Sequence, residues 1–141
     1  MKSLSFRLGV FFVGLTIFCH AEVWGAGWRE FDRNDGEIRY YYVQSVKHPS
    51  DKIIRVWVKM EYTDKGLSEK IQKLGGNYEN LKYTMTEEEI NCPDKKWRSL
   101  SSHDYSKEGK VIHSSSHAGG WKHIDPGSMA EALCKAVYKS D

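Results

Sequence analysis

Hydrophobic and polar side chains alternate most regularly over residues 54–62. One side of this segment carries Ile54, Val56, Val58, Met60 and Tyr62. A period of two is typical of a strand with one buried face. Residues 28–33 and 37–43 flank an Asn-Asp-Gly turn signal, which predicts a hairpin. Residues 95–105 and 110–116 predict a second hairpin, with its turn near residues 107–109.

Within residues 81–92, the apolar positions change from odd-numbered to even-numbered residues. Leu81, Tyr83 and Met85 alternate, but Ile90 and Cys92 have the opposite parity. One strand buries both sets only if its register shifts, so we expect a bulge or break near residues 87–89.

Two segments have helical rather than strand periodicity. Residues 64–74 place Leu67, Ile71 and Leu74 on one face, and a Gly-Gly pair ends the segment. The C-terminal segment has Asp125 or Ser128 as its N-cap. Its apolar stripe is Met129, Ala132, Leu133, Ala136 and Val137. This order of elements predicts an α+β fold: an antiparallel sheet of about five to six strands, a short middle helix and a C-terminal helix packed on the sheet.

The N-terminus has the three parts of a bacterial export signal. Lys2 and Arg7 precede an apolar run over residues 8–19, and Cys19-His20-Ala21 provides small residues at the peptidase positions. We therefore predict a cleavable signal peptide at 1–21 and one mature domain at 22–141. A bilayer span needs about 20 apolar residues, so a retained membrane helix is the lesser alternative. A lipid on Cys19 and cleavage after Ala26 are further alternatives.

Cleavage changes both the charge and the cysteine count. The mature chain is close to neutral, because the leader removes Lys2 and Arg7 and no acid. This balance does not favour a nucleic-acid partner, which needs a concentrated surplus of Lys and Arg. Cys92 and Cys134 remain, and two cysteines in an oxidising compartment predict one disulfide. A redox pair is the alternative, but such pairs usually have Cys-x-x-Cys spacing.

Catalytic and metal-binding patterns are weak in this sequence. His113 and His117 have near-ligand spacing, but they lie in a strand and a Ser-rich loop. Residues 114–116 are serines close to histidines and to Asp104, yet no nucleophile-elbow pattern surrounds them. We expect no enzymatic activity, no metal and no cofactor.

Basic and aromatic residues suggest a different kind of site. Arg55, Trp57 and Lys59 occupy the polar side of the best strand, and Arg39 and Tyr41 share a side of a neighbouring strand. If the two strands pair, these five residues form a candidate protein-binding face, because Arg and aromatic side chains are enriched at interfaces. The alternative is that a helix, or the stems of Lys and Arg, cover Trp57.

Several segments of the mature chain resemble the surface-adhesin protein E family of exported bacterial proteins. The matching segments are residues 54–58 with Tyr62, 81–83, 89–92 with Trp97 and Arg98, 109–112, 121–124, 126–128 and 130–133. The resemblance implies an antiparallel sheet with a C-terminal helix. It also implies non-catalytic surface attachment, which in the best-known member is to extracellular-matrix proteins of the host.

Together these observations predict an exported, non-enzymatic binding domain in the periplasm or on the cell surface. The expected partner is a protein ligand, which the resemblance implies is of the extracellular-matrix type, or a second copy of the chain. After cleavage no integral membrane segment is expected. A periplasmic structural or accessory protein of an envelope assembly is the alternative function, and a hydrolase that uses the Ser/His-rich stretch is a third.

Overall fold

The computed structural model describes residues 27–139, which form one antiparallel sheet of eight strands and two α-helices. The strands are β1 (Trp28–Arg33), β2 (Glu37–Tyr42), β3 (Lys47–Ser50), β4 (Ile53–Tyr62), β5 (Leu81–Asn91), β6 (Lys96–Ser106), β7 (Val111–Ser115) and β8 (Lys122–His123). The helices are α1 (Asp64–Leu74) and α2 (Met129–Tyr138), with short 3₁₀ turns at Val43–Ser45 and Gly76–Tyr78. The predicted signal peptide, 1–21, lies outside the described residues.

The main path of the sheet runs β1-β2-β4-β5-β6-β7, with β3 beside β4 and β8 beside β6. The predicted α+β class and both hairpins are confirmed. The strand count is higher than the predicted five to six, because β3 and β8 are short edge strands with loop-like sequences. β3 contains Pro49, which edge strands tolerate because an edge residue needs no ladder donor on its outer side.

The C-terminal helix covers one face of the sheet. Leu133 and Val137 of α2 form one buried cluster with Tyr41 and four residues of β4 and β5. Those four residues are Ile54, Val56, Val58 and Ile90. The hydroxyl of Ser128 caps the helix by accepting from the backbone N–H of Glu131 at 3.3 Å. Burial of this stripe anchors α2, since a helix of this length is marginal alone.

Strand β5 is continuous rather than broken. It pairs with β4 without interruption from Ile90 to Tyr83. The expected register shift is present between Glu87 and Glu88, but only toward β6. Glu87 opposes Ser101 and Glu88 opposes Ser99, so the additional residue belongs to β6. Each parity of β5 therefore keeps its own face.

The first turn of α1 lies against the β1–β2 turn. Thr63 caps α1 by accepting from the N–H of Gly66 at 3.2 Å, and its own N–H donates to Gly36 O at 2.9 Å. Of the predicted apolar face of α1, Leu74 is exposed. The close contact of α1 is therefore made by its first turn.

The predicted Cys92–Cys134 disulfide is present and joins the end of β5 to α2, with 5.9 Å between the two Cα atoms. Neither described helix combines the length and apolar character that a membrane crossing requires.

Candidate functional site

The sheet face opposite α2 carries several half-buried aromatic and basic side chains, and we call it the open face. It is defined on β4 by Arg55, Trp57, Lys59 and Glu61, together with the residues that oppose them on neighbouring strands. α2 packs on the other face. The contacts of α1 lie at the β1–β2 turn and at Tyr62, whose side chain shares the α2 side of β4. The two described helices therefore leave the open face uncovered.

Trp57 lies near the middle of this face and is half-buried. Its backbone N–H donates to Ser45 Oγ at 3.0 Å, which fixes the strand locally. Its ring lies 6.1 Å from the ring of His103 on β6, and His103 Nδ1 lies 2.8 Å from Ser114 Oγ. Part of the Trp57 indole is therefore accessible to solvent, while His103 contacts the ring and Ser45 holds the backbone.

Lys59 is on the open face but offers little surface to a partner, since only 8% of it is exposed. Its Nζ lies 4.9 Å from the ring centroids of both Trp28 and Tyr40, and 3.0 Å from Glu61 Oε1. Two aromatic rings and a carboxylate thus already hold its charge. Lys59 organises the aromatic end of the face rather than providing a free cation.

Arg39 and Tyr41 do not lie on the open face, and their predicted position was wrong. Arg39 opposes Met60 and Tyr41 opposes Val58, so both point to the α2 side. Tyr41 is 3% exposed within the core, and Arg39 pairs with Asp32 and Glu37. A strand register one residue away exchanges the two faces, and the sequence pattern of a single strand does not set that register.

A buried carboxylate joins two arginines at one end of the open face. Arg55 donates from Nε and Nη2 to Glu89 Oε2 at 3.2 and 3.0 Å. Arg98 donates from Nε and Nη2 to Glu89 Oε1 at 2.9 and 2.7 Å. Burial by itself raises the pKa of the Glu89 carboxyl, but the hydrogen bonds from Arg98 and Arg55 together hold that pKa below its ordinary value. The two guanidinium groups are therefore fixed by an ionised carboxylate between them.

Other residues of the open face were not singled out from the sequence. Tyr83 and Tyr105 stack with ring centroids 4.9 Å apart. The Trp121 ring lies 4.6 Å from Arg98 Cζ. The alternation of Tyr83 with Met85 was visible in the sequence, but it indicates a core face as readily as an aromatic surface. No local signal connects Trp121 to Arg98.

Comparison with known proteins places the chain in a family. The family model of surface-adhesin protein E matches residues 28–137. The chain belongs to the surface-adhesin protein E family. Neither the curated proteins nor the solved structures gave a match.

In this adhesin-family chain, the structure separates one Ser–His pair, His103 and Ser114, from the carboxylate of Asp104. His103 and Ser114 are hydrogen-bonded on the open face. Asp104 opposes His113 and accepts from Thr84 Oγ1 at 2.6 Å, which places its carboxylate on the α2 side of the sheet. A carboxylate on the opposite face of a strand has no route to orient His103.

Metal-binding side chains do not converge in the part of the chain that the structure describes. Within residues 27–139, no group of three or more His, Cys, Asp or Glu side chains is arranged to hold a metal ion. His113 lies on β7, whereas His117 lies beyond the end of that strand.

Proposed function

We propose that this protein is an exported, non-enzymatic binding domain of the bacterial cell envelope, which attaches to a protein partner through the open face. The observation that carries the proposal is a sheet face of half-buried aromatic and arginine side chains that no described helix covers. Membership of the surface-adhesin protein E family supports a role in attachment. Protein interfaces are enriched in these same residue types.

Trp57 is the centre of the proposed contact. A large, rigid aromatic ring gives contact area at little cost in rotamer entropy. Hot spots also lie near the middle of an interface, where the surrounding contacts exclude water. Trp57 fits this description in position, because it lies centrally on β4 and its ring contacts that of His103.

The test is a binding measurement on the mature domain, residues 22–141, with purified extracellular-matrix proteins. Trp57→Ala should weaken binding by about 2 kcal/mol or more, which is on the order of a thirtyfold rise in Kd. Tyr138→Ala is the matched control, since Tyr138 is an exposed aromatic residue on α2, away from the open face. Circular dichroism and a melting curve verify that both variants remain folded. Normal binding by a folded Trp57→Ala variant contradicts the proposal.

A second copy of the chain is the other partner that this face fits. Sedimentation of the wild-type domain and of Trp57→Ala separates the two cases. A dimer that dissociates in the variant, without binding to matrix proteins, favours the periplasmic accessory function instead.

The proposal also requires export, and intact-mass analysis of the exported protein tests that step. The expected mature N-terminus is Glu22, with Gly27 as the second choice. A mass that retains residues 1–21, or that carries a lipid on Cys19, contradicts the predicted processing. Protease treatment of intact cells then distinguishes a surface location from a periplasmic one.

A further inference from the structure

We propose that Arg55 and Arg98 form a carboxylate-binding pair on the open face, and that the partner presents an acidic segment to it. This inference rests on the proposed function, because it assigns the chemistry of the partner that the open face binds. It concerns one end of the face, separate from the contact of Trp57.

The first step is the number of donors that remain available. A guanidinium has five N–H groups in a planar fork. Within residues 27–139, the hydrogen bonds of each arginine to Glu89 use Nε and Nη2 only. Arg55 and Arg98 keep 39% and 31% of their side chains exposed, whereas Glu89 is 4% exposed. The Nη1 group of each arginine therefore makes no hydrogen bond to Glu89 and can donate to a different acceptor.

The second step is preorganisation. Glu89 fixes both guanidinium groups from the sheet side, and the Trp121 ring stacks on Arg98 with 4.6 Å from Cζ to the ring centroid. A side chain that is already ordered loses less conformational entropy when it binds. A planar fork held in this way recognises a carboxylate through two parallel hydrogen bonds.

The third step is the local charge. Lys47 opposes Arg55, and Lys96 lies on the same face near Arg98, so four cations share this end of the open face. Asp94 also lies here, in a cavity that Lys96 and Trp121 line, and it pairs with a fifth cation, Lys52, at 3.6 Å. Two further carboxylates accompany the arginines, and one of these is the buried Glu89. The other, Glu87, approaches Arg55 with 3.7 Å between Glu87 Oε1 and Arg55 Nε. The net charge of these side chains is positive, which matches an acidic partner segment.

The fourth step distinguishes an acidic protein segment from a polyanion. The mature chain has balanced formal charge once Lys2 and Arg7 are removed. Binding to an extended polyanion depends on many simultaneous cationic contacts and on a large basic surface. Two ordered guanidinium groups beside Trp57 and Trp121 instead resemble the mixed aromatic and arginine composition of protein interfaces.

The experiment uses a short glutamate-rich peptide and the same peptide with every Glu replaced by Gln. Both are titrated into the isotopically labelled mature domain, and the Nε–Hε signals of Arg55 and Arg98 are followed by NMR. The Glu peptide should shift both signals and the Gln peptide neither. Equal shifts with both peptides, or none with the Glu peptide, overturn the proposal.

Variants test whether the fork geometry matters beyond charge. Arg55→Lys combined with Arg98→Lys keeps the charge and removes the fork, so the Kd for the Glu peptide should rise about tenfold or more. Lys73→Gln on α1, which removes an exposed charge away from the open face, should leave the Kd unchanged. The wild-type NMR titration decides the question even if the double variant does not fold.

A heparin-derived oligosaccharide is the final probe. If it shifts the two arginine signals and the Glu peptide does not, the partner is a sulfated glycan and the acidic-segment proposal is wrong. The peptide titration does not involve Trp57. Its failure is therefore separate from failure of the attachment test with Trp57→Ala.

Discussion

Glu88 and Glu89 are consecutive on β5, yet the pKa values of their carboxyls move in opposite directions. Glu89 points to the open face, where Arg55 and Arg98 hold its pKa below the ordinary value. Glu88 points to the α2 side, where Ser99 Oγ lies 2.8 and 2.9 Å from its two oxygens. Burial raises the pKa of Glu88 to about 7. An arginine pair stabilises the charged form of one carboxyl, whereas desolvation stabilises the neutral form of the other.

Glu88 should make the domain less stable as the pH rises. The folded pKa is about 7, above the ordinary value of 4.5, so the folded state keeps its proton longer than the unfolded state. The stability that this proton supplies is complete below about pH 4.5 and is lost as the pH rises through 7, by roughly 3 kcal/mol in total. Glu89 acts in the opposite sense, and its contribution is lost below about pH 4.5.

Glu88→Gln should remove that loss, since a neutral amide of similar shape has no proton to release. Urea unfolding of both proteins at several pH values between 4.5 and 8 gives the free energy of unfolding for each. The difference between wild type and variant should grow with pH. Glu69→Gln, an exposed substitution on α1, is the control. Parallel pH profiles for wild type and Glu88→Gln would show that Glu88 does not retain its proton.

At the scale of elements, Gly66 shows how helix propensity and packing predict opposite results. An alanine in a helix interior is favoured over glycine by up to about 1 kcal/mol. However, a Cβ on Gly66 would lie 1.9 Å from Gly36 O, because the first turn of α1 touches the β1–β2 turn. Both sides of this contact are backbone, so neither segment can move easily to make room for the new Cβ.

We therefore expect Gly66→Ala to destabilise the domain by about 1–3 kcal/mol or more. Gly76→Ala is the matched control, since the nearest atom to its new Cβ is Glu79 Oε1 at 3.7 Å. Chemical denaturation measures both variants. An unchanged or higher stability for Gly66→Ala would mean that the α1 contact is looser than described.

Much of the element list was predictable, because strands, turns and caps depend on local spacing. The β1–β2 and β6–β7 hairpins, α1 and α2 all follow from period and turn residues. The short strands β3 and β8 were not predicted, because their pairing depends on the neighbouring strands rather than on their own composition. The buried positions of α2 also differ slightly from the predicted stripe, with Ala130 buried in addition to Leu133 and Val137.

At the scale of the whole molecule, the Cys92–Cys134 disulfide links the sheet to its covering helix. It closes a loop of 42 residues, and the chain-entropy relation gives about 4 kcal/mol for a loop of that length. Stabilisation of this size is comparable to the total stability of a small domain.

Cys92→Ser or Cys134→Ser should lower the melting temperature strongly, and the double variant should resemble either single one. The reason is that removing one partner already abolishes the cross-link. Thermal unfolding without reductant measures the effect, and alkylation with mass spectrometry counts free thiols. Two free thiols in the native exported protein would contradict the bridge.

The candidate site was predictable only in part. The alternation of β4 placed Arg55, Trp57 and Lys59 on one side, and the structure agrees. Binding of a partner by these residues is our proposal. Tyr40 rather than Tyr41 is the neighbour of Lys59. Arg98 and Trp121 also lie on this face, although they are distant from β4 in the sequence.

The sequence by itself determined which residues within each strand or helix share a side, where the chain turns, and that Cys92 and Cys134 are the two cysteines of the family domain. These properties depend on local period and residue type. The tertiary structure decided which sides of neighbouring strands coincide, which face α2 covers, and that Glu89 lies between two arginines. Those outcomes depend on strand register and on contacts between residues far apart in the chain, and a one-residue shift in register exchanges the buried face with the open one.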